Sequence, residues 1–263
     1  MEEVRSGGPA REPLSRPVCI CVAGAGGKTS LIHYLAAREA EKGRKVLLVT
    51  TTHILGQGGA VSVRSAPPAG EGARLWAEEI GTALQRYGVV TAGVLAREGK
   101  LAWMGEETYG LVREKTDWIL AEADGSRHLP AKAPADGEPV ILPDTDAILV
   151  TQGMEAAGHP IGEVCHRTAE VCRLLGCGED TVLTRQQIRI LYREGYEKKL
   201  KAAFPGIPVI PVWVYREPGT WESVREQREP EFIGDEQGQL REIHWRLRGI
   251  FRLPGDSVSP LAP

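Results

Sequence analysis

Apolar positions along the chain fall into short continuous runs that alternate with stretches of helical spacing. Val18 to Ala23 reads VCICVA and stops at Gly24, a pattern that suits a central parallel strand covered on both faces. From Thr29 the period changes. Leu31, Ile32, Leu35 and Ala36 recur every three to four residues, charges follow at Arg38, Glu39 and Glu41, and Gly43 supplies a C-terminal stop. KVLLVTTT, at 45–52, is then a second strand. Strand, helix and strand in this order predict a right-handed βαβ unit with parallel strands.

Farther along, 56–72 is rich in glycine, carries Pro67 and Pro68, and is expected to be an exposed loop. Helical spacing resumes over 73–86 and again, briefly, over 106–115. Between them, 89–104 reads as two strands around Glu98-Gly99, an antiparallel edge hairpin. WILAEAD (118–124), AILVT (147–151) and VIPVWVY (209–215) are further buried strands. Helices are predicted over 164–175 and over 184–203 with Thr184 as N-cap, and a terminal amphipathic helix over 237–252. The polar, Gly- and Pro-rich residues 1–17 and the last residues, 253–263, are expected to be disordered tails. The fold class is therefore α/β: one domain over 18–252, a three-layer fold with a mostly parallel central sheet and an antiparallel edge hairpin, and Gly24-Ala25-Gly26-Gly27-Lys28-Thr29 between its first strand and first helix give the expectation of a P-loop nucleotide-binding fold.

Composition narrows the functional classes. The chain has 263 residues, of which 42% are apolar, enough for a sizeable core. A formal net charge of −3 gives no global basic field for nucleic acid. The apolar runs fall far short of the roughly 20 residues of a membrane span, and 1–17 does not read as a signal peptide, so a cytoplasmic location is expected. The five cysteines show no CxxC clamp. Cys19 and Cys21 read as buried strand residues. Cys165 and Cys172 would share a helical face, with Cys177 beyond and His166 adjacent, and packing is preferred there to a metal site.

The chemistry concentrates at three strand ends. Gly24-Ala25-Gly26-Gly27-Lys28-Thr29-Ser30 lies between the first strand and the first helix, where glycines turn backbone N–H groups onto phosphate oxygens and the helix N-terminus attracts anions. Lys28, expected exposed on the loop, would bridge the β- and γ-phosphates, and Thr29 would ligate Mg²⁺. Val22 stands where the full phosphate-loop pattern has its first glycine, so the loop is a shortened G-x-x-G-K-T variant similar to that of Mur ligases. A dinucleotide GxGxxG reading fits less well, because position 29 is Thr and no acid ends the second strand. Thr51, Thr52 and His53 end the second strand at the carboxyl edge and are candidates for phosphate or metal contact, although threonine is also an ordinary strand former and His53 could merely cap the strand. In WILAEAD, Asp124 is the expected Mg²⁺ acid and Glu122 shares its side of the strand. Arg127 could stabilise a transferring phosphoryl group, and Lys132 to Pro139 forms a stiff charged loop suited to a second substrate.

Taken together, GAGGKTS, VTTTH and above all AEADGSRHLPAKAPADGEPVIL resemble the YqeC family, described as accessory to selenium-dependent molybdenum hydroxylases and as a selenium cofactor biosynthesis protein. Weaker similarity continues through Cys165-His166-Arg167 and Leu183-Thr184. Ala131 and Gly137 depart from the family pattern, which often has Leu and His there. The resemblance implies nucleotide binding by Gly24, Gly26, Gly27, Lys28 and Thr29, with Asp124 and Ser126-Arg127 beside them, and a molybdenum hydroxylase or its cofactor-assembly machinery as partner. The expected function is a Mg²⁺-dependent ATP or GTP hydrolase or phosphotransferase. A Mur-like ATP-dependent ligase and a non-catalytic binder of nucleotide or pterin dinucleotide are the alternatives.

Overall fold

The structure, a computed structural model, describes residues 15–55, 60–216, 231–234 and 239–247. The first strand, β1 (Val18–Gly24), runs into α1 (Lys28–Glu41) and then β2 (Val46–Thr50). Two short strands, β3 (Ile54–Leu55) and β4 (Ala60–Arg64), precede α2 (Glu71–Tyr87). A hairpin of β5 (Val89–Leu95) and β6 (Lys100–Ala102) is followed by α3 (Glu106–Arg113), β7 (Trp118–Glu122) and the two-residue β8 (Ala131–Lys132). After β9 (Ala147–Gly153) come α4 (Ile161–Val164), β10 (Cys165–His166), α5 (Thr168–Leu175), α6 (Arg185–Ile190) and α7 (Lys198–Ala203). The last strands are β11 (Val209–Arg216), β12 (Glu231–Gly234) and β13 (Leu240–Leu247).

Eleven of these strands form one sheet in the order β12-β13-β11-β9-β1-β7-β2-β5-β6-β3, with β4 also on β5. Every pairing from β4 through β5, β2, β7, β1, β9 and β11 to β13 is parallel. Among the described residues of this sheet, antiparallel pairing is confined to β12–β13, β5–β6 and β3–β6. The fold is thus α/β with a mostly parallel central sheet, and the β5–β6 hairpin is present where the sequence places it.

Continuous apolar strands follow from cover on both faces. Cys19, Cys21 and Ala23 of β1 and Ile119 and Ala121 of β7 pack with Trp76, Ile80 and Leu84 of α2 and Val112 of α3. On the other face Val22 and Leu120 pack with Leu31, Ile32 and Ala36 of α1. Cys19 and Cys21 are fully buried, as small apolar residues would be.

Four local expectations are corrected. The terminal helix predicted over 237–252 is, in its described part, the strand β13, parallel to β11 with Val212 opposite Ile243. The loop predicted over 56–72 holds β4, whose Ser62 is buried and accepts Trp76 Nε1–H at 2.8 Å. The helix predicted over 164–175 is broken: Cys165-His166 pairs with β8, Arg167 takes a left-handed φ of 61°, and helix restarts at Thr168. Cys165 and Cys172 therefore share no helical face. The 184–203 helix begins with the expected cap, Thr184 and Gln187 forming a reciprocal capping box, and has π geometry over Leu191–Glu197. Residues 1–14 and 248–263 lie outside the described residues, and with them most of both expected tails and the end of the domain at 252. Arg16, within the stretch read as tail, forms an ion pair with Asp146.

Candidate functional site

Backbone geometry sets the site, beginning with the glycine loop. Gly24 and Gly26 have φ of 96° and 76°, and a Cβ on them would lie 2.1 Å from Thr151 O and 2.6 Å from Pro130 O respectively. Only glycine fits there, because the loop presses against the carboxyl end of β9. Ala25 N–H donates to Thr151 O at 2.8 Å and Gly24 N–H to Asp124 Oδ1 at 3.0 Å. The N–H groups of Gly26, Gly27 and Lys28 have no protein acceptor among the described residues. They stand at the start of the fourteen-residue α1, where the helix dipole favours an anion.

Lys28 is buried, at 4% exposure, which corrects the expectation of an exposed loop lysine. Its ammonium donates to Gly24 O at 2.7 Å and lies 3.4 Å from Asp124 Oδ1 and 3.9 Å from Glu122 Oε1. Burial of a cation this deep requires the two carboxylates beside it. Sheet register supplies them, since β7 lies between β1 and β2 with Glu122 opposite both Val22 and Thr50.

The two acids have different surroundings. Thr29 Oγ1–H donates to Glu122 Oε2 at 3.0 Å. Burial pushes the Glu122 carboxyl up from its ordinary range, and Lys28 and the Thr29 hydroxyl only partly offset that. Asp124 has no exposed surface. Its Oδ1 faces the glycine loop, and its Oδ2 accepts from Lys132 Nζ and from the Tyr196 hydroxyl, each at 3.0 Å. Donors thus approach both of its oxygens.

Lys132 changes the reading of the loop that follows. The sequence suggests a solvated charged segment over 132–139, yet Lys132 is fully buried in β8 and reaches Asp124, Gly125 O at 2.6 Å and Glu138 at 2.8 Å. Glu138 is held in turn by Arg167, through Nη2 at 2.6 Å and Nε at 3.1 Å. Burial opposes ionisation of Glu138, but the hydrogen bonds from Arg167 and Lys132 outweigh it and bring its pKa from 4.5 down to about 2. Tyr196 comes from the π-helical segment and is completely buried, which together with the adjacent Asp124 charge keeps its hydroxyl protonated far beyond neutral pH.

Other sequence candidates are less central. Thr51 donates to Val140 O at 2.8 Å, Thr52 N–H bonds to Thr50 Oγ1 at 3.0 Å, and His53 is exposed. Thr51 thus ties the end of β2 to the Val140 segment, whereas Thr52 bonds back to β2 itself. Ser30 is half-buried in the first turn of α1. Arg127 is exposed on a turn with φ 49°, and the next residue, His128, has φ 63°. Backbone of this kind costs about 1–3 kcal/mol per residue. Lys132, Glu138, Arg167 and Tyr196 complete the site without a sequence signal strong enough to rank them with the loop. The resemblance over 121–142 and 165–167 covers Lys132, Glu138 and Arg167, the first two also lying in the charged loop read as suited to a second substrate, and no sequence signal marks Tyr196. Among the described residues no three His, Cys, Asp or Glu side chains converge as a metal cluster, and no helix is long and apolar enough to cross a membrane.

Comparison with known proteins covers this region. The sequence model of the family described as "YqeC protein" matches residues 20–169, which include the glycine loop, β7, the Lys132–Glu138 segment and Arg167. A curated relative from Escherichia coli (strain K12), named "Uncharacterized protein YqeC", is 29% identical over 203 residues, covering 73% of this chain and 72% of the relative. The chain, with its buried acids gathered behind a glycine loop, belongs to the YqeC family.

Proposed function

We propose that this protein binds ATP or GTP on the Gly24–Thr29 loop and uses it in a Mg²⁺-dependent hydrolysis or phosphoryl transfer. The observation that carries this reading is the set of free N–H groups of Gly26, Gly27 and Lys28 at the start of α1, with the Lys28 ammonium and the Thr29 hydroxyl beside them. A row of backbone donors, a helix dipole and one lysine suit a polyphosphate better than any neutral ligand. Thr29 and Glu122 would hold Mg²⁺, whose chemistry is neutralisation of charge on the transferring phosphoryl group. Asp124 then keeps Lys28 and the glycine loop in place, because donors already surround both of its oxygens.

The family resemblance supports the cellular role: assistance to the maturation of selenium-dependent molybdenum hydroxylases, with the hydroxylase or its cofactor-assembly machinery as partner. Product analysis with Mg·ATP and Mg·GTP tests the biochemical part. Free phosphate supports hydrolysis, a phosphorylated acceptor supports transfer, phosphate tied to a joined product points to a ligase, and tight binding without turnover leaves a nucleotide-holding module. No binding of either nucleotide overturns the proposal.

A further inference from the structure

The turn that leaves β7 carries two basic residues in a backbone conformation that neither favours. Leu129 N–H donates to Ser126 O at 3.0 Å, and the two central residues, Arg127 and His128, have φ of 49° and 63°. Turns with two left-handed centres ordinarily use Gly, Asn or Asp there. Non-glycine residues with positive φ are rare in this protein: among the described residues they are Glu98, Arg127, His128 and Arg167. Three of the four border one small region, a concentration of strain typical of functional sites.

That region adjoins the glycine loop. Before the turn, Asp124 accepts from Gly24 N–H, and Lys132 holds Gly125 O at 2.6 Å. After it, Pro130 O accepts Gly153 N–H at 2.8 Å and lies so close to Gly26 that a Cβ there would come within 2.6 Å. Both ends of the turn are thus clamped to the phosphate-facing loop. Facing it, the β8–β10 pairing sets His166 beside Lys132, and Arg167 follows, held by Glu138. Arg127 is near enough that, after burial and the Lys132 and Arg167 charges, it too holds the His166 imidazole toward its neutral form. The acids of the region include Asp124, Glu138 and Glu170. Asp124 and Glu138 are taken up by Lys132, Tyr196 and Arg167, and Glu170 lies beside Arg167. Arg127 is exposed and has no carboxylate partner among the described residues.

We propose that Arg127, His128 and Arg167 frame a second oxyanion subsite beside the glycine loop, and that it takes the phosphate group of a small phosphate-ester substrate. Two guanidinium groups and the N–H groups of a left-handed turn would together offer a set of donors that suits a tetrahedral oxyanion better than a planar carboxylate. The inference rests on the nucleotide reading of the neighbouring loop and names the class of its second substrate.

Inorganic phosphate is the probe, titrated calorimetrically into protein saturated with Mg²⁺ and a non-hydrolysable ATP or GTP analogue. Saturation is verified for each variant, and circular dichroism confirms the fold. Saturable phosphate binding that weakens tenfold or more in Arg127→Ala, recovers partly in Arg127→Lys and resists competition by acetate supports the subsite. Absence of saturable binding to the loaded protein, equal binding by Arg127→Ala, or equal competition by acetate overturns it. Should the protein take up no analogue, the nucleotide reading fails separately, and the same titration is made on unloaded Lys28→Ala. Phosphate binding that survives Lys28→Ala and is lost on adding Arg127→Ala still supports the subsite, and loss with Lys28→Ala alone overturns it.

Discussion

Tyr196 donates its hydroxyl to Asp124 Oδ2 at 3.0 Å across a separation of 72 residues, tying the π-helical segment to the acid behind the glycine loop. Lys132 meets the same oxygen from another direction at 3.0 Å. Two buried donors on one carboxylate oxygen make the network both rigid and sensitive to deletion.

Removing one donor tests that network. Tyr196→Phe leaves the ring in place and should cost about 1.5–3 kcal/mol, the range for hydrogen bonds to charged groups. Lys132→Met should cost more, about 3–5 kcal/mol, because it leaves Asp124 and Glu138 short of a buried cation. Chemical denaturation measures both. A loss below about 0.5 kcal/mol for Lys132→Met would mean that the network does not hold the loop.

The acid limb of the stability profile should report on Glu138. Its pKa falls from 4.5 to about 2 on folding, so its contribution is present above 4.5 and is lost as pH drops toward 2. Glu138→Gln should therefore reduce the slope of stability against pH in that window relative to wild type. Glu122 has the opposite sign: its carboxyl is raised, so ionising it as pH rises works against the fold. Denaturant midpoints measured from pH 2 to 6 decide the matter, and parallel curves for wild type and Glu138→Gln would contradict the assignment.

Backbone fit at the glycine loop makes a third expectation. Gly26→Ala forces a residue with a side chain to φ 76° and brings its Cβ within 2.6 Å of Gly153 N and Pro130 O. The left-handed backbone alone should cost about 1–3 kcal/mol, and the contact with main-chain atoms adds to it. Gly110→Ala, in α3 with open space around its Cβ position, is the control and should be neutral or stabilising. Equal thermal stability of the two variants would contradict the packing of this loop against β9.

How far the sequence carries depends on whether a residue's role is local. The strands β1, β7, β9 and β11 are legible because both faces are covered and their runs are continuous. The glycine loop is legible as a strand-to-helix turn because Gly24 to Thr29 are contiguous. The residues of β13 suggest a helix in sequence although Ile243, Trp245 and Leu247 alternate with Glu242, His244 and Arg246, a period of two that a mixed polar and apolar stretch conceals. Lys132 and Tyr196 were not legible. A lysine in a Pro- and charge-rich segment reads as solvated, and a tyrosine on a helix reads as packing, until tertiary structure brings both to Asp124.

Glu122, the last residue of β7, and Asp124, two residues beyond it, should respond differently to loss of charge. With the Thr29 hydroxyl 3.0 Å from Glu122 Oε2, Glu122→Gln should reduce turnover by about a hundredfold or more while nucleotide affinity changes much less. Asp124→Asn should instead lower stability and nucleotide affinity together, since it loosens Lys28 and Gly24. Steady-state kinetics beside equilibrium binding distinguish the two patterns. Wild-type turnover in Glu122→Gln would move the metal acid elsewhere.

Equilibrium binding of Mg·ATP and Mg·GTP to wild type and Lys28→Ala tests the central claim most directly. Because Lys28 is only 4% exposed and sits between Glu122 and Asp124, circular dichroism must show that the variant is folded, and Lys28→Arg serves as a charge-preserving companion. The account predicts saturable binding of at least one nucleotide by wild type and its loss by more than tenfold in folded Lys28→Ala. Equal affinity of the two proteins, or no binding of either nucleotide by wild type, would contradict it.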